Sequence, residues 1–183
     1  MSALQDPSPL DTELHAPAHL QEMLGRVDAL HADEVVPREQ ALQHRLNDES
    51  QYLDASGKLH PEIIEARRQI MAAAGAAGVY SAHLPEHLGC GGLGRTDMIY
   101  VEEQVYGYGC RLNPALLSWS EGATPRLLYC HDHQREQFTD PLVLGQKTSL
   151  HAVTEARAGS NLFDMKTHAV KRGDRVHRLA VER

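Results

Sequence analysis

The stretch Leu84-Pro85-Glu86-His87-Leu88-Gly89-Cys90-Gly91-Gly92-Leu93-Gly94 is where this sequence says most about its fold. Its glycines match G-x-G-x-x-G, which binds dinucleotides when a strand precedes it and an acidic residue follows about 20 positions later. Pro85 and His87 stand where that strand would end, and the region around Asn113 has no acidic residue. We therefore interpret the stretch as a packing turn between helices.

Apolar residues at helical spacing precede this turn. Residues 19–43 carry the first such pattern, and Pro37 should end or kink that helix after Val36 because proline has no N–H for the hydrogen-bond ladder. A second helical piece, or a continuation of the first, is predicted over residues 38–46.

Pro61 is the predicted first residue of the next helix, where its missing N–H has no helical partner to lose. Gly75 or Gly78 should end this helix. Its predicted shared face consists of Ile63, Ile64, Arg67, Ile70, Met71 and Ala74.

Helices are also predicted after the glycine-rich turn. Thr96 is the predicted N-cap of a helix that begins at Asp97. Two more helices are predicted over residues 114–129, with a break near Gly122 or Pro125 left open, and over residues 133–144. The apolar residues of the first of these three helices are Met98, Ile99, Val101, Val105 and Tyr106.

The pattern changes at residue 148. Residues 150–154, 165–170 and 176–181 are typical of strands, and Lys171-Arg172-Gly173-Asp174 is typical of a hairpin turn. The sequence thus predicts a mainly α protein with a flexible leader (1–17), a helical domain (18–147) and the first strands of an incomplete β-domain (148–183). A sheet of so few strands is only marginally stable in water unless further strands or helices pack against it.

Composition argues against several classes of function. A net charge of −7 and an aromatic fraction of 5% argue against a nucleic-acid partner. No window approaches the roughly 18 consecutive apolar residues of a membrane span, and no signal-peptide core is present, so we expect a cytoplasmic protein. The three cysteines form no C-x-x-C pair, and the cluster Cys130-His131-Asp132-His133 lacks the second ligand pair of a zinc site. We expect reduced thiols and no metal.

The segment Val153-Thr154-Glu155-Ala156-Arg157-Ala158-Gly159-Ser160-Asn161 leaves a predicted strand through small residues. It offers consecutive backbone N–H groups and the hydroxyls of Thr154 and Ser160, donors that suit an anionic or electron-accepting ligand. From the residues alone, a binding loop and a plain connection between strands both remain open.

Four segments in order resemble the acyl-CoA dehydrogenase family. The family's first helix is similar to residues 20–39, its A-x-x-G … L-P-E-x-x-G-G-x-G to residues 74–78 and 84–94, its G-T-x-x-Q-K … Y-L-P-x-L … G-E to residues 130–146, and its flavin loop T-E-P-x-A-G-S-D to residues 154–161. The resemblance spans about residues 18–175.

This resemblance implies a helical N-terminal domain, a middle β-barrel and a C-terminal four-helix bundle. It also implies FAD, an acyl-CoA thioester oxidised at its Cα–Cβ bond, and an electron-accepting flavoprotein as partner. By the same resemblance, the Val153 backbone and Thr154 hold the flavin ring, His151 lies beside the ring, and Gly159 and Ser160 let the backbone approach the flavin phosphates or the CoA side. The catalytic carboxylate base is expected in the C-terminal bundle, so no catalytic residue is assigned here.

The sequence departs from the family pattern at several positions. Ala156 replaces a proline, Arg157 is bulky, Asn161 replaces an aspartate, and the strand expected after Asp174 is not matched. Because the resemblance ends after Asp174, before the rest of the barrel and the bundle with its base, we expect a truncated acyl-CoA dehydrogenase without turnover of its own. Two alternatives stay open: a non-catalytic module that pairs with itself or with a longer homologue, and an inactive fragment produced by a frameshift or a premature stop. Translation of the downstream DNA in all frames would reveal a frameshift.

Overall fold

The computed structural model describes residues 16–118, 121–150, 153–156, 158–173 and 175–179. The chain divides into a larger compact unit within Met1–Ser149 and a smaller one within Leu150–Arg183. In the described ranges, the larger unit is built from helices and the smaller one contains a two-stranded sheet. The predicted mainly α fold class, with a helical domain followed by strands, is confirmed.

The N-terminal helical run continues through Pro37. Of the two predicted possibilities for residues 38–46, a second helical piece or a continuation of the first, the chain adopts the continuation. The run consists of α1 (Gln21–Leu30), a π-helical turn (His31–Val35), α2 (Val36–Ala41) and α3 (Gln43–Leu46). The N–H of Val36 donates to the carbonyl of His31. In this wider turn the residue before the proline donates to the carbonyl five positions back, and the helix then continues past Pro37, which has no N–H to donate.

The central helix of the larger unit is α5 (Pro61–Ala76), which follows the short α4 (Glu49–Tyr52). It begins at Pro61 as predicted, and its buried side chains are Ile63, Ala66, Ile70, Met71 and Ala74. Ile64, which the spacing groups with them, is 36% exposed. Gly75 lies inside α5, where a Cβ would collide with the Leu144 carbonyl, so glycine lets two backbone segments touch.

The glycine-rich stretch is a packing turn, as predicted. A 3₁₀ turn (Glu86–Leu88) precedes it, and the chain then folds back on the segment before it. The N–H of Gly92 donates to the Leu84 carbonyl at 2.8 Å, and the N–H of Leu93 donates to the Ala82 carbonyl at 2.9 Å. These bonds bring the chain back across the core before the next helix begins.

That next helix, α6 (Arg95–Gly107), has Gly94 as its N-cap and no side-chain cap. The predicted Thr96 cap is therefore wrong, because the helix already begins at Arg95. Met98, Val101 and Val105 are buried in the core cluster that also contains side chains of α1 and α5, whereas Ile99 and Tyr106 are 60% and 42% exposed. The apolar stripe of α6 is thus narrower than the sequence predicts.

The rest of the larger unit consists of short turns. Two 3₁₀ turns (Asn113–Leu116 and Pro125–Tyr129) stand where one helix is predicted over residues 114–129. That prediction is wrong, because Leu117 is extended, with φ −122° and ψ 144°. The helix predicted over residues 133–144 is confirmed as a continuous run of α7 (Asp132–Gln134), a π-helical turn (Arg135–Thr139) and α8 (Asp140–Val143).

The smaller unit contains the predicted hairpin. Strands β1 (His168–Arg172) and β2 (Arg175–Leu179) pair antiparallel, with His168 opposite Leu179. Gly173 takes a positive φ of 64° between them. The strand predicted over residues 150–154 falls partly outside the described residues, and the described Val153 and Thr154 lie in no strand. Within the described ranges, no helix is long and apolar enough to cross a membrane.

Candidate functional site

The candidate site is the loop over residues 153–161 in the smaller unit. Val153 is half-buried, and Thr154, Gly159 and Ser160 are exposed. His151, the remaining predicted site residue, lies outside the described residues. The structure therefore describes four of the five predicted positions, on one short loop.

A tight turn forms the centre of this loop. The N–H of Glu155 donates to the Ala158 carbonyl at 2.9 Å, and the N–H of Ala158 donates to the Glu155 carbonyl at 3.2 Å. The Ala158 side chain is 1% exposed, so the turn packs this small residue inward. Within the described part of the chain, the hydroxyls of Thr154 and Ser160 have no hydrogen-bond partner. Both hydroxyls thus remain available to a ligand.

Glu155 connects the turn to the chain just before β1. Its Oε2 accepts from the N–H of Lys166 at 2.8 Å, and its Oε1 accepts from the N–H of Thr167 at 2.8 Å. A carboxylate that accepts from two consecutive backbone N–H groups forms charge-assisted hydrogen bonds. The motif alone gives Glu155 no role, because its partners lie eleven and twelve positions away.

Residues after the loop form a second capped turn. Asn161 Oδ1 accepts from the N–H of Phe163 at 3.3 Å, and Asn161 Nδ2 donates to Asp164 Oδ2 at 2.9 Å. This Asn161 cap starts a 3₁₀ turn over Leu162–Asp164. Asparagine therefore performs a capping role at the position where the family pattern has aspartate.

The end of the helical unit is fixed shortly before the loop begins. Ser149 Oγ donates to the Gly122 carbonyl at 2.7 Å, and the N–H of Ser149 donates to the Glu121 carbonyl at 2.5 Å. Glu121 in turn forms an ion pair with Arg67 of α5, with 2.5 Å between Oε1 and Nη2. Contacts that are distant in sequence thus determine where the chain leaves the helical unit.

The cluster at residues 130–133 has a structural explanation. The N–H of His131 donates to Gln134 Oε1 at 3.0 Å as part of a capping box, and the His131 and His133 rings stack at 5.7 Å between centroids. A cavity of about 110 Å³ is lined in part by Cys130, Arg135 and Thr139. Among the described residues, no group of three or more His, Cys, Asp or Glu side chains could hold a metal ion.

A family comparison places the helical unit among known sequences. The sequence model described as "Acyl-CoA dehydrogenase, N-terminal domain" matches residues 19–146. The matched range covers most of the larger unit and ends before the candidate loop. The match therefore relates the helices to this family, whereas the loop is related to it only by the motif at residues 154–161.

Curated relatives resemble the chain over a similar length. "Acyl-CoA dehydrogenase FadE12" from Mycobacterium tuberculosis (strain ATCC 25618 / H37Rv) is 30% identical over 122 residues, as is the "Acyl-CoA dehydrogenase fadE12" from Mycobacterium bovis (strain ATCC BAA-935 / AF2122/97). The aligned residues are 67% of this chain and 30% of each relative, so the match spans less than a third of their length. No solved structure matches the chain significantly.

Proposed function

The chain belongs to the acyl-CoA dehydrogenase family, and from this premise we propose that it supplies the helical domain and the flavin loop of an FAD-dependent oxidoreductase of fatty acid metabolism. The observation that supports this proposal is the loop at residues 153–160, which combines a closed turn with two unpartnered hydroxyls. When bound, FAD supplies the oxidation of the Cα–Cβ bond of an acyl-CoA thioester.

Each residue of the loop has a role in this proposal. The Val153 backbone and the Thr154 hydroxyl hold the flavin ring and support the negative charge that it gains on reduction. Gly159 and Ser160 approach the flavin phosphates or the CoA side of the site, and His151 lies beside the ring. We assign no catalytic base to the residues that the structure describes.

The loop fits a cofactor of this chemistry. A Cβ built on Gly159 meets no atom of the described residues within 4 Å, so no contact among them explains why the position is glycine. Close approach of a ligand to the backbone would explain it. Thr154 and Ser160 add hydroxyl donors on either side of the turn, where an electron-rich ligand can accept hydrogen bonds.

Titration of the purified chain with FAD tests the proposal. We expect saturable binding, measured by fluorescence polarisation of the flavin. The double variant Thr154→Ala/Ser160→Ala should bind roughly 30-fold more weakly, because two hydrogen bonds of about 1 kcal/mol each are lost. Thr96→Ala, an exposed threonine in the helical unit, is the matched control. Absence of binding by the wild-type chain, or equal affinity of the double variant, would contradict the proposal.

A second candidate function is association with a second copy or a longer homologue. Ile99 and Tyr106 lie seven positions apart on α6, and both expose apolar surface, at 60% and 42%. Such a stripe on a helix suits packing against another subunit. Light scattering after size-exclusion chromatography should show a self-associating wild type and a monomeric Ile99→Glu variant, with Glu103→Gln as the control. A wild type that is monomeric at every concentration, without a co-purifying homologue, would rule this candidate out.

A further inference from the structure

We propose that Glu155 is a positioning residue, which holds the Thr154–Ser160 loop in the conformation that receives the cofactor. This inference rests on the proposed flavin role of the loop, and it adds a residue to which the family resemblance gave no role. Three observations support it: the backbone turn that Glu155 closes, the two N–H groups that its carboxylate binds, and the two hydroxyls that have no hydrogen-bond partner among the described residues.

The backbone of Glu155 fixes the loop from the inside. It exchanges two hydrogen bonds with Ala158, at 2.9 and 3.2 Å, and so closes the turn between Thr154 and Gly159. Reciprocal bonds of this kind restrict both ends of the turn at once, because each residue is donor and acceptor to the other. The positions on either side of the turn are thereby held at a defined separation.

The side chain of Glu155 fixes the same turn from the outside. Its two oxygens each lie 2.8 Å from a backbone nitrogen, that of Lys166 and that of Thr167, immediately before β1. These two N–H groups precede the hairpin. The carboxylate therefore joins the loop to the start of the sheet.

The chemistry of this contact requires a glutamate. A carboxylate accepts at both oxygens, whereas the amide of glutamine accepts at one and would direct an N–H₂ group at the other backbone N–H. Aspartate is one methylene shorter and cannot reach both donors from the same backbone position. Within the described part of the chain, the hydroxyls of Thr154 and Ser160 make no hydrogen bond and are therefore free to bind the cofactor.

A first experiment tests the contact without any flavin. Amide hydrogen exchange and ¹H–¹⁵N spectra of the full chain should show protected amides at Lys166 and Thr167. Glu155→Gln should speed their exchange about tenfold, because charge-assisted hydrogen bonds are lost. Glu103→Gln, which removes the same charge from an exposed residue of α6, should leave both amides unchanged. Equal exchange in the wild type and Glu155→Gln would overturn the inference.

A second experiment tests positioning in the presence of FAD. Glu155→Gln should weaken FAD binding about tenfold and alter the visible spectrum of the bound flavin, although residue 155 itself donates nothing to the cofactor. Glu103→Gln should retain the wild-type affinity and spectrum, and far-UV circular dichroism should show that the helical unit is intact in both variants. Unchanged affinity of Glu155→Gln would overturn the inference even if the amides of Lys166 and Thr167 respond.

The two experiments separate the possible failures. If the wild-type chain binds no FAD, the proposed function fails, and the positioning role fails with it whatever the amides show. If the wild type binds FAD and Glu155→Gln binds equally well, the proposed function stands and only the role of Glu155 is rejected.

Discussion

The ring of Tyr80 lies directly against Gly122, so that a Cβ on residue 122 would come within 2.8 Å of both Cε1 and Oη of the tyrosine. Tyr80 is 1% exposed, and its hydroxyl donates to Met71 Sδ at 3.5 Å. The Tyr80 carbonyl also accepts from the N–H of Ser118 at 3.0 Å. Tyr80 thus contacts Met71 of α5 and also Ser118 and Gly122, and the Gly122 carbonyl accepts from Ser149 at the end of the helical unit.

Substitution of Gly122 by alanine should destabilise the helical unit by about 1–3 kcal/mol, because the added methyl group overpacks the core against Tyr80. Urea unfolding followed by circular dichroism measures this change. Gly25→Ala is the control, since a Cβ on Gly25 in α1 meets no atom of the described residues within 4 Å. That variant should gain up to about 1 kcal/mol from the better helix propensity of alanine. An unchanged free energy of unfolding in Gly122→Ala would contradict the close contact between Gly122 and Tyr80.

Tyr80 should make the stability of the protein sensitive to alkaline pH. Burial raises the pKa of Tyr80 to about 12 from a usual value of 10.0, and the charge of Glu121 adds to the effect. The folded state keeps its proton more tightly than the unfolded state, so this stabilisation is complete below pH 10 and is lost as pH rises towards 12. The loss should amount to up to roughly 2 kcal/mol.

Tyr80→Phe removes this titration. We expect a shallower decline in the free energy of unfolding between pH 10 and 11.5 than in the wild type, measured by urea unfolding at several values of pH. Part of the decline should remain, because the pKa of Tyr108 is also raised, first by burial and then by its hydrogen bond to Asp28. Identical alkaline slopes in the wild type and Tyr80→Phe would disprove the assignment.

His83 should make the stability of the protein sensitive to acidic pH. Burial lowers the pKa of this imidazole below its usual 6.5, while a hydrogen bond with the backbone of Ala123 opposes the shift. The folded state then binds fewer protons than the unfolded state, so the contribution is present above pH 6.5 and is lost as pH falls.

We therefore expect that lowering the pH from 7 to 5 reduces the free energy of unfolding of His83→Gln less than it reduces that of the wild type. The measurement is the midpoint of urea unfolding at each pH. His87→Gln, an exposed histidine on the same segment, is the matched comparison. A His83→Gln variant whose acid decline is no shallower than that of His87→Gln would refute the prediction.

Ala156→Pro should rigidify the candidate loop. Position 156 follows Glu155 in the closed turn, and the N–H of Ala156 makes no hydrogen bond in the described part of the chain. Proline there restricts the unfolded chain and should stabilise the turn by about 0.4–1 kcal/mol. Amide exchange at Glu155 and Ala158 should slow about two- to fivefold. Ala158→Pro is the opposite control, because it removes the bond from the Ala158 N–H to the Glu155 carbonyl.

Periodicity and turn chemistry predicted much of the helical unit. The start of α5 at Pro61 and the glycine-rich packing turn follow from residue types whose effect is local. The hairpin turn at Gly173 is equally local, since it needs a positive φ of 64°. Such features depend on neighbours within a few positions, so they can be read from the sequence.

Proline is a more demanding case, because its effect depends on the turn before it. Pro37 and Pro141 each stand two residues after a π-helical turn, over His31–Val35 and Arg135–Thr139. In both runs the residue before the proline donates to a carbonyl five positions back, Val36 to His31 and Asp140 to Arg135. The sequence left open whether a second helical piece or a continuation follows Pro37, and the wider turn lets the helix continue.

The apolar faces of the helices were predicted too broadly. Ile64, Ile99 and Tyr106 fit the spacing of a buried stripe, yet they are 36%, 60% and 42% exposed. Helical spacing selects a side of the helix, but the width of the buried part depends on how closely the neighbouring elements approach. On α6 the fully buried side chains are Met98, Val101 and Val105.

The sequence by itself determined the helical class, the order of elements and the small, donor-rich composition of the loop at residues 153–161, because each depends on residue type and short-range spacing. Only the tertiary structure decided that Glu155 binds the N–H groups of Lys166 and Thr167, and that Tyr80 packs on Gly122. Those contacts join residues 11, 12 and 42 positions apart, and no local rule of backbone geometry specifies which distant segments meet.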